Sequence, residues 1–196
     1  LNNVELIVIV NHIIFDGYSI ELFANKLILE YYGSPITSKY TDFKFSLFQK
    51  QQESKIQNKS FDEGIEYWVK KLKSNSYTIN LPIDYSRPSK HSFEGGAIET
   101  IIKHDKKDRI IKFCSNNDVS MFNVFMSAYA ILLHKYSNQK DILISYPYAN
   151  RDDYHYENIL GYFVNVILHR SIINSNNSFL DIVKNTKANF IEDSKY

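Results

Sequence analysis

One cysteine occurs in 196 residues. Cys114 therefore has no partner for an intramolecular disulfide, and without a clustered set of histidines it leaves no cysteine-based zinc site. A reducing, cytoplasmic compartment fits such a thiol. Strong charge of either sign is also missing. The net charge is +1, and the lysines are scattered among asparagines instead of lining one periodic face. That pattern excludes the basic stripe a polyanion or an anionic lipid surface requires, so neither a nucleic-acid nor a membrane partner is expected. No apolar run reaches the length of a bilayer span, and the opening "LNNVELIV" lacks the basic start of a signal peptide. Short-period repeats and low-complexity tracts are absent.

What is present is apolar: 44% of the chain is hydrophobic, enough for one large domain or two small lobes. Residues 4–10, "VELIVIV", are β-branched and apolar on both parities, which predicts a central strand covered on both faces. It reads as a strand entered midway, the expectation for a piece of something longer. After "FDG" the period changes. Ser19 is placed to cap a helix in which Ile20, Phe23, Leu27 and Tyr31 recur at helical spacing until Gly33, Ser34 and Pro35 stop it. A polar, glutamine-rich segment follows. "FDEGIEYWVKKL" (61–72) then predicts a helix presenting Ile65, Trp68, Val69 and Leu72. Residues 81–96, rich in proline, serine and glycine, have no periodicity and form the expected boundary between lobes.

Beyond that boundary, "AIETIIKH" predicts a strand and "DRIIKFCSNND" a short helix. "SMFNVFMSAYAILLHKYS" (120–137) is apolar almost all round and predicts a buried helix. "DILISYPYANR" and "YFVNVILHRSII" each predict a strand. "SFLDIVKNTKANFIED" predicts a last amphipathic helix with Ser178 and Asp181 as its cap pair. Alternation of strands and helices places the chain in the α/β class.

Chemistry concentrates at the end of the first run. An imidazole titrates near neutrality, so His12 at the mouth of a rigid strand is placed to take a proton from an amine or hydroxyl. Asp16, across the turn, would fix the loop by receiving an arginine or backbone amides, and Gly17 would relax the turn. The alternative is that His12 only satisfies a carbonyl in a strand-to-helix turn; the spacing alone does not decide. A metal site is disfavoured, because no other His or Cys stands at ligand spacing. Arg151 is either a buried guanidinium that pairs with Asp16 and holds the His loop from the other lobe, or a surface arginine, since Asp152 and Asp153 are nearer in sequence. Asn165 sits in an apolar run, where a buried amide must be hydrogen-bonded; it is either a structural bracket or a channel wall. Arg170 reads as structural, Tyr162, Phe163 and Trp68 as core aromatics, and Cys114 as a small buried hydrophobe.

"NHIIFDG" followed by "YSIELF" resembles the His-His-x-x-x-Asp-Gly motif of the condensation domains of nonribosomal peptide synthetases, with Asn11 in place of the first His and His12 as the second. Further segments match in the family's order. "YTDF" (40–43) is similar to its Tyr-x-Asp-Phe motif, without the Trp that usually follows, where Ser46 stands. "EYWVKKL…INLPIDYSRP" (66–88) is similar to its Tyr-Trp, Leu-Pro and Arg-Pro linker, and "YPYANR" (146–151) to a segment ending in Arg. "LGYFVNVILHR" (160–170) is similar to its Gly-x-Phe-Val-Asn motif, with Val166 where Thr is usual. "YSIELF" departs from the Val-Ser-Trp continuation of epimerization domains, and His12 and Gly17 depart from the aspartate motif of heterocyclization domains.

The resemblance implies a chloramphenicol-acetyltransferase-like fold of two α/β sandwich lobes, incomplete at both ends. Residues 1–86 would end the first lobe and 87–196 begin the second. It implies amide formation between a donor acyl or peptidyl thioester and an acceptor aminoacyl thioester, with His12 catalytic. Asn11, Asp16, Gly17 and Arg151 would be structural residues of the active site, and Asn165 and Tyr162 would line the substrate channel. No cofactor is bound by the domain itself; substrates arrive on phosphopantetheine arms of peptidyl carrier domains, beside an adenylation domain. A stand-alone acyltransferase of the same superfamily using acyl-CoA, or a non-catalytic carrier-docking remnant, are the alternatives.

Overall fold

The computed structural model describes residues 5–33, 44–73, 78–86, 88–90, 92–151 and 153–196. "YTDF" and Arg87 lie outside the described residues, as do Asp152 and the Ser34 and Pro35 expected to stop the first helix.

Side-chain caps set the starts of the first and the last two helices. Asp16 is extended and its carboxylate accepts from the Ser19 amide, so α1 (Gly17–Tyr31) starts before Ser19, which lies inside the helix and not at its cap. Gly33, in the left-handed region at φ 69°, follows its end. The glutamine-rich segment forms α2 (Phe45–Gln57), and α3 covers Asp62–Leu72. Trp68 and Leu72 are half-buried on α3 while Ile65 and Val69 are exposed, so its buried face is rotated from the expected one.

α4 (His104–Asn117) and α5 (Met121–Ser137) end on Asp118 and Asn138, both left-handed, a conformation their short polar side chains tolerate. Ser120 and Asn123 cap α5 reciprocally, as Ser178 and Asp181 cap α6 (Phe179–Asp193), the pair expected there. Between them run β1 (Asp141–Tyr148) and β2 (Asn165–Ile172), hydrogen-bonded neighbours in a two-stranded sheet. The bond from the Ile173 amide to the Lys140 carbonyl, just past the end of one strand and just before the start of the other, makes the pair antiparallel.

Two expected strands are not formed among the described residues. Residues 5–10 have no ladder partner, and Leu6, Ile7, Val8, Ile9 and Val10 are all exposed. Residues 97–103 are likewise irregular and exposed, and α4 starts at the histidine read as the end of that strand. β-branched sequence makes a residue suited to a pleated surface, but the ladder needs a neighbour.

The chain divides into two compact units. One comprises residues 1–67 and 146–167, the other 68–145 and 168–196. The first has an aromatic core in which Tyr156, Ile159 and Phe163 are buried against Phe45 and Phe48. The Phe45 and Phe163 rings meet edge to face, 5.0 Å apart. In the second, Cys114, Val119, Val124 and Val183 form a core with Ile110 and Phe113, and α5 packs on α4 and α6. Cys114 is there the small buried hydrophobe expected. α5 is buried on one face only. Asn123, Val124, Met126, Ser127 and Ala130 point inward, while Met121, Phe125, Tyr129 and Tyr136 are exposed, contrary to an all-round buried helix.

The second unit also contains a buried polar layer. The Ser127 hydroxyl lies 2.9 Å from that of Thr186, which lies 3.5 Å from the His169 ring. Lys71 pairs with buried Asp193, and Arg170 binds Asp141 through Nε at 2.9 Å and Nη2 at 2.6 Å, the structural role expected of it.

Candidate active site

His12 opens a single 3-10 turn, His12–Ile14, and Asn11 caps it: the Asn11 amide oxygen accepts from the Ile13 N–H at 3.0 Å. Asn11 therefore holds the turn that presents His12. The imidazole is exposed and, among the described residues, has no hydrogen-bond partner; its one ring contact is Tyr162, edge-on at 5.7 Å.

Asp16 is fully buried, and its carboxylate binds groups other than His12 among the described residues. Its Oδ1 accepts from the Ser19 amide at 2.8 Å and its Oδ2 from the Phe163 amide at 3.0 Å, while Arg151 Nη2 approaches the two oxygens at 3.3 and 3.4 Å. Burial pushes the carboxyl up, but the Phe163 amide, Ser19 and the Arg151 charge together outweigh it, and Asp16 is held below its ordinary value. It is a carboxylate committed to pinning the loop.

Arg151 is the partner expected for Asp16, and it does more than pair. Nη1 donates to the carbonyls of Tyr156 at 2.5 Å and Ile159 at 2.7 Å, and Nη2 also reaches the Ser19 hydroxyl at 3.1 Å. The guanidinium lies 4.0 Å from the Phe163 ring centre and 4.5 Å from that of Tyr18. Burial lowers its pKa and Asp16 opposes that shift; an arginine stays charged regardless. A planar fork that binds carbonyls on one side and a carboxylate on the other cannot be replaced by a lysine.

The sequence marks Ser19 only as a cap, yet it is central. Its hydroxyl donates to the Gly161 carbonyl at 2.9 Å and accepts from the Gly161 amide at 3.1 Å. A Cβ on Gly161 would stand 2.5 Å from the Phe45 ring and 3.0 Å from that of Phe163, so only glycine fits. An isolated glycine in an apolar run was the available signal for this close approach. Gly17 is different. It is the first residue of α1, outside the left-handed region, and a Cβ there would meet nothing, so the turn does not demand a glycine. Because Asp16 enters the helix from extended backbone, no relaxed residue is needed.

Asn165 is exposed at the start of β2, not buried mid-strand, and its side-chain oxygen accepts from the adjacent Val166 amide at 2.8 Å. Tyr162 is 39% exposed, so it is not a core aromatic, whereas Phe163 is 2% exposed and is one. No group of three His, Cys, Asp or Glu side chains among the described residues is arranged to hold a metal.

The family model of the condensation domain matches residues 2–195. The chain belongs to the condensation-domain family. Polyketide synthase PksN of Bacillus subtilis (strain 168) is 30% identical over 175 residues, covering 85% of this chain and 3% of that protein. A solved complex of the X-domain and OxyB from teicoplanin biosynthesis superposes with a TM-score of 0.80 at 19% identity, over 95% of this chain and 43% of that one. A four-domain nonribosomal peptide synthetase bound to AMP and glycine gives 0.78 at 24% identity, over 92% and 14%. The chain thus spans a small part of the curated relative and under half of either solved chain. The fold is the α/β condensation-domain fold, chloramphenicol-acetyltransferase-like, as the motifs implied.

Proposed function

We propose that this condensation-domain segment serves peptide-bond formation in a nonribosomal peptide synthetase. The acceptor is an aminoacyl thioester and the donor an acyl or peptidyl thioester, each tethered to a carrier domain by phosphopantetheine. The single observation that carries the reading is His12, an exposed imidazole raised on a turn capped by Asn11, just ahead of a buried carboxylate that is engaged in capping α1 and pairing with Arg151. Such a group faces outward, where a substrate can reach it.

In the proposed reaction the acceptor amine attacks the donor thioester carbonyl. A C–N bond forms, the C–S bond breaks, and the amine proton passes to His12 or goes directly to the departing thiolate while His12 holds the amine in line. Both versions suffice energetically. Bringing two tethered reactants together in a reactive geometry supplies up to roughly 7–11 kcal/mol. Asn11, Asp16 and Arg151 act by holding His12, and Tyr162 and Asn165 border the channel. In the complete domain, residues 1–86 would close the first lobe and 87–196 open the second, with peptidyl carrier and adenylation domains as neighbours.

Reconstitution tests this. The complete domain is mixed with a donor-loaded and an acceptor-loaded carrier, and the acceptor carrier is weighed intact. A mass gain equal to the donor acyl group supports the proposal. Transfer only from acyl-CoA, or no transfer, would remove it.

A further inference from the structure

We infer that Tyr162 is the positioning residue that orients the His12 imidazole, and that Ser19 and Gly161 hold Tyr162 in place for that task. The inference rests on the reading of His12 given above. In hydrolases with a catalytic histidine, a carboxylate accepts from the far ring nitrogen and fixes the ring. Here that role is vacant among the described residues. Asp16 spends its oxygens on the Ser19 and Phe163 amides and on Arg151, and the His12 ring has no hydrogen-bond partner. An exposed imidazole without any contact would sample its rotamers freely. What it has is the Tyr162 ring, with centroids 5.7 Å apart and planes inclined at 65°, the edge-on arrangement aromatic rings prefer.

Tyr162 is itself unusually well placed to act as a fixed wall. The residue before it is clamped on both polar atoms, the Gly161 amide and carbonyl each meeting the Ser19 hydroxyl. The Gly161 carbonyl also receives the Asp16 amide at 3.4 Å. The residue after it is fixed by the Phe163 amide on Asp16 Oδ2, and its ring is buried among Phe45, Phe48 and Tyr156. The groups that bracket Tyr162, Asp16 and Ser19, belong to the very loop and helix that follow His12. Both rings are thus referred to one rigid origin, and the distance between them is set by short, buried bonds. Tyr162 keeps 39% of its surface exposed, so the same ring also borders the space in front of His12.

The ring edge, not the hydroxyl, does the work in this account, and that makes it testable. In the complete condensation domain with loaded carriers, Tyr162→Leu is expected to lower kcat roughly 10- to 100-fold, the cost of a slightly misplaced group, with KM for the acceptor carrier unchanged. Tyr162→Phe is expected to recover most of the kcat lost in Tyr162→Leu. Independently of activity, NMR of histidine-labelled domain should show the His12 ring protons losing their ring-current shift in Tyr162→Leu and keeping it in Tyr162→Phe. Ser19→Ala, with a circular dichroism spectrum matching wild type, should show a partial loss of the shift and of kcat. His12→Ala separates the two readings. If His12→Ala is inactive while Tyr162→Leu is fully active with unmoved His12 resonances, the inference is overturned and the reading of His12 stands. If His12→Ala is fully active, the reading of His12 falls. A loss in Tyr162→Phe equal to that in Tyr162→Leu would assign the role to the hydroxyl and overturn the inference as stated.

Discussion

Asp16 and Arg151, 135 positions apart in the chain, form a buried ion pair at 3.3 Å, with side chains 0% and 3% exposed. The pair closes the first unit around the His12 loop: one partner caps α1, the other gathers the carbonyls of the 156–159 turn. A buried pair of this kind contributes little over apolar packing, but losing one partner leaves the other charge stranded.

Replacing Asp16 with Ala, or Arg151 with Leu, is therefore expected to cost on the order of 3–5 kcal/mol of stability, read from denaturant melts of the complete domain. Arg151→Lys should rescue little, because one ammonium cannot reach both the carboxylate and the carbonyls. The double replacement Asp16→Ala with Arg151→Leu should be less damaging than the sum of the singles. Strict additivity would show that the two charges do not depend on each other.

A second expectation concerns pH. His169, 2% exposed beside Thr186, has its pKa pushed from 6.5 down to about 4, chiefly by burial; Asp193 opposes this and Lys71 adds to it. Between those values the unfolded chain binds a proton that the folded chain refuses. Stability contributed here is complete above pH 6.5 and falls as pH drops toward 4, by roughly 3 kcal/mol in all. His169→Gln should flatten that part of the stability profile relative to wild type. An unchanged slope would place His169 in a solvated environment.

The exposed apolar surface leads to a third. Leu6 through Val10 are exposed in succession, Ile9 at 92%, and Ile98 and Ile101 stand at 98% and 90%. Extended apolar backbone with no ladder partner is a template for pairing with another chain. The 196-residue chain produced alone should self-associate, with an apparent molar mass that rises with concentration in light scattering. A monodisperse monomer would contradict this.

Much of the fold was legible because its signals are local. Ser178 and Asp181 start α6, and "DILISYPY" forms β1; each is decided within a few residues. The segment 5–10 differs for the complementary reason: its apolar run states what it would bury but not which neighbour it would pair with, and no ladder partner stands beside it among the described residues. α5 erred similarly, since composition alone cannot say which of its apolar faces is covered. At the site, His12, Asp16 and Arg151 were visible as residue types, and the buried pairing held. Ser19 and Gly161 were missed because their bond spans 142 positions, and only the isolated glycine hinted at it.

The central claim is that His12 serves amide formation from a loop held by the buried network and not by its own bonds. Single-turnover amide formation by the His12→Ala variant of the complete domain, with both carriers preloaded, tests it most directly. His12 is exposed and its ring has no hydrogen-bond partner among the described residues, so the melting temperature should match wild type. The rate should fall on the order of 100-fold or more. A variant that melts like wild type and forms product at the wild-type rate would contradict the account.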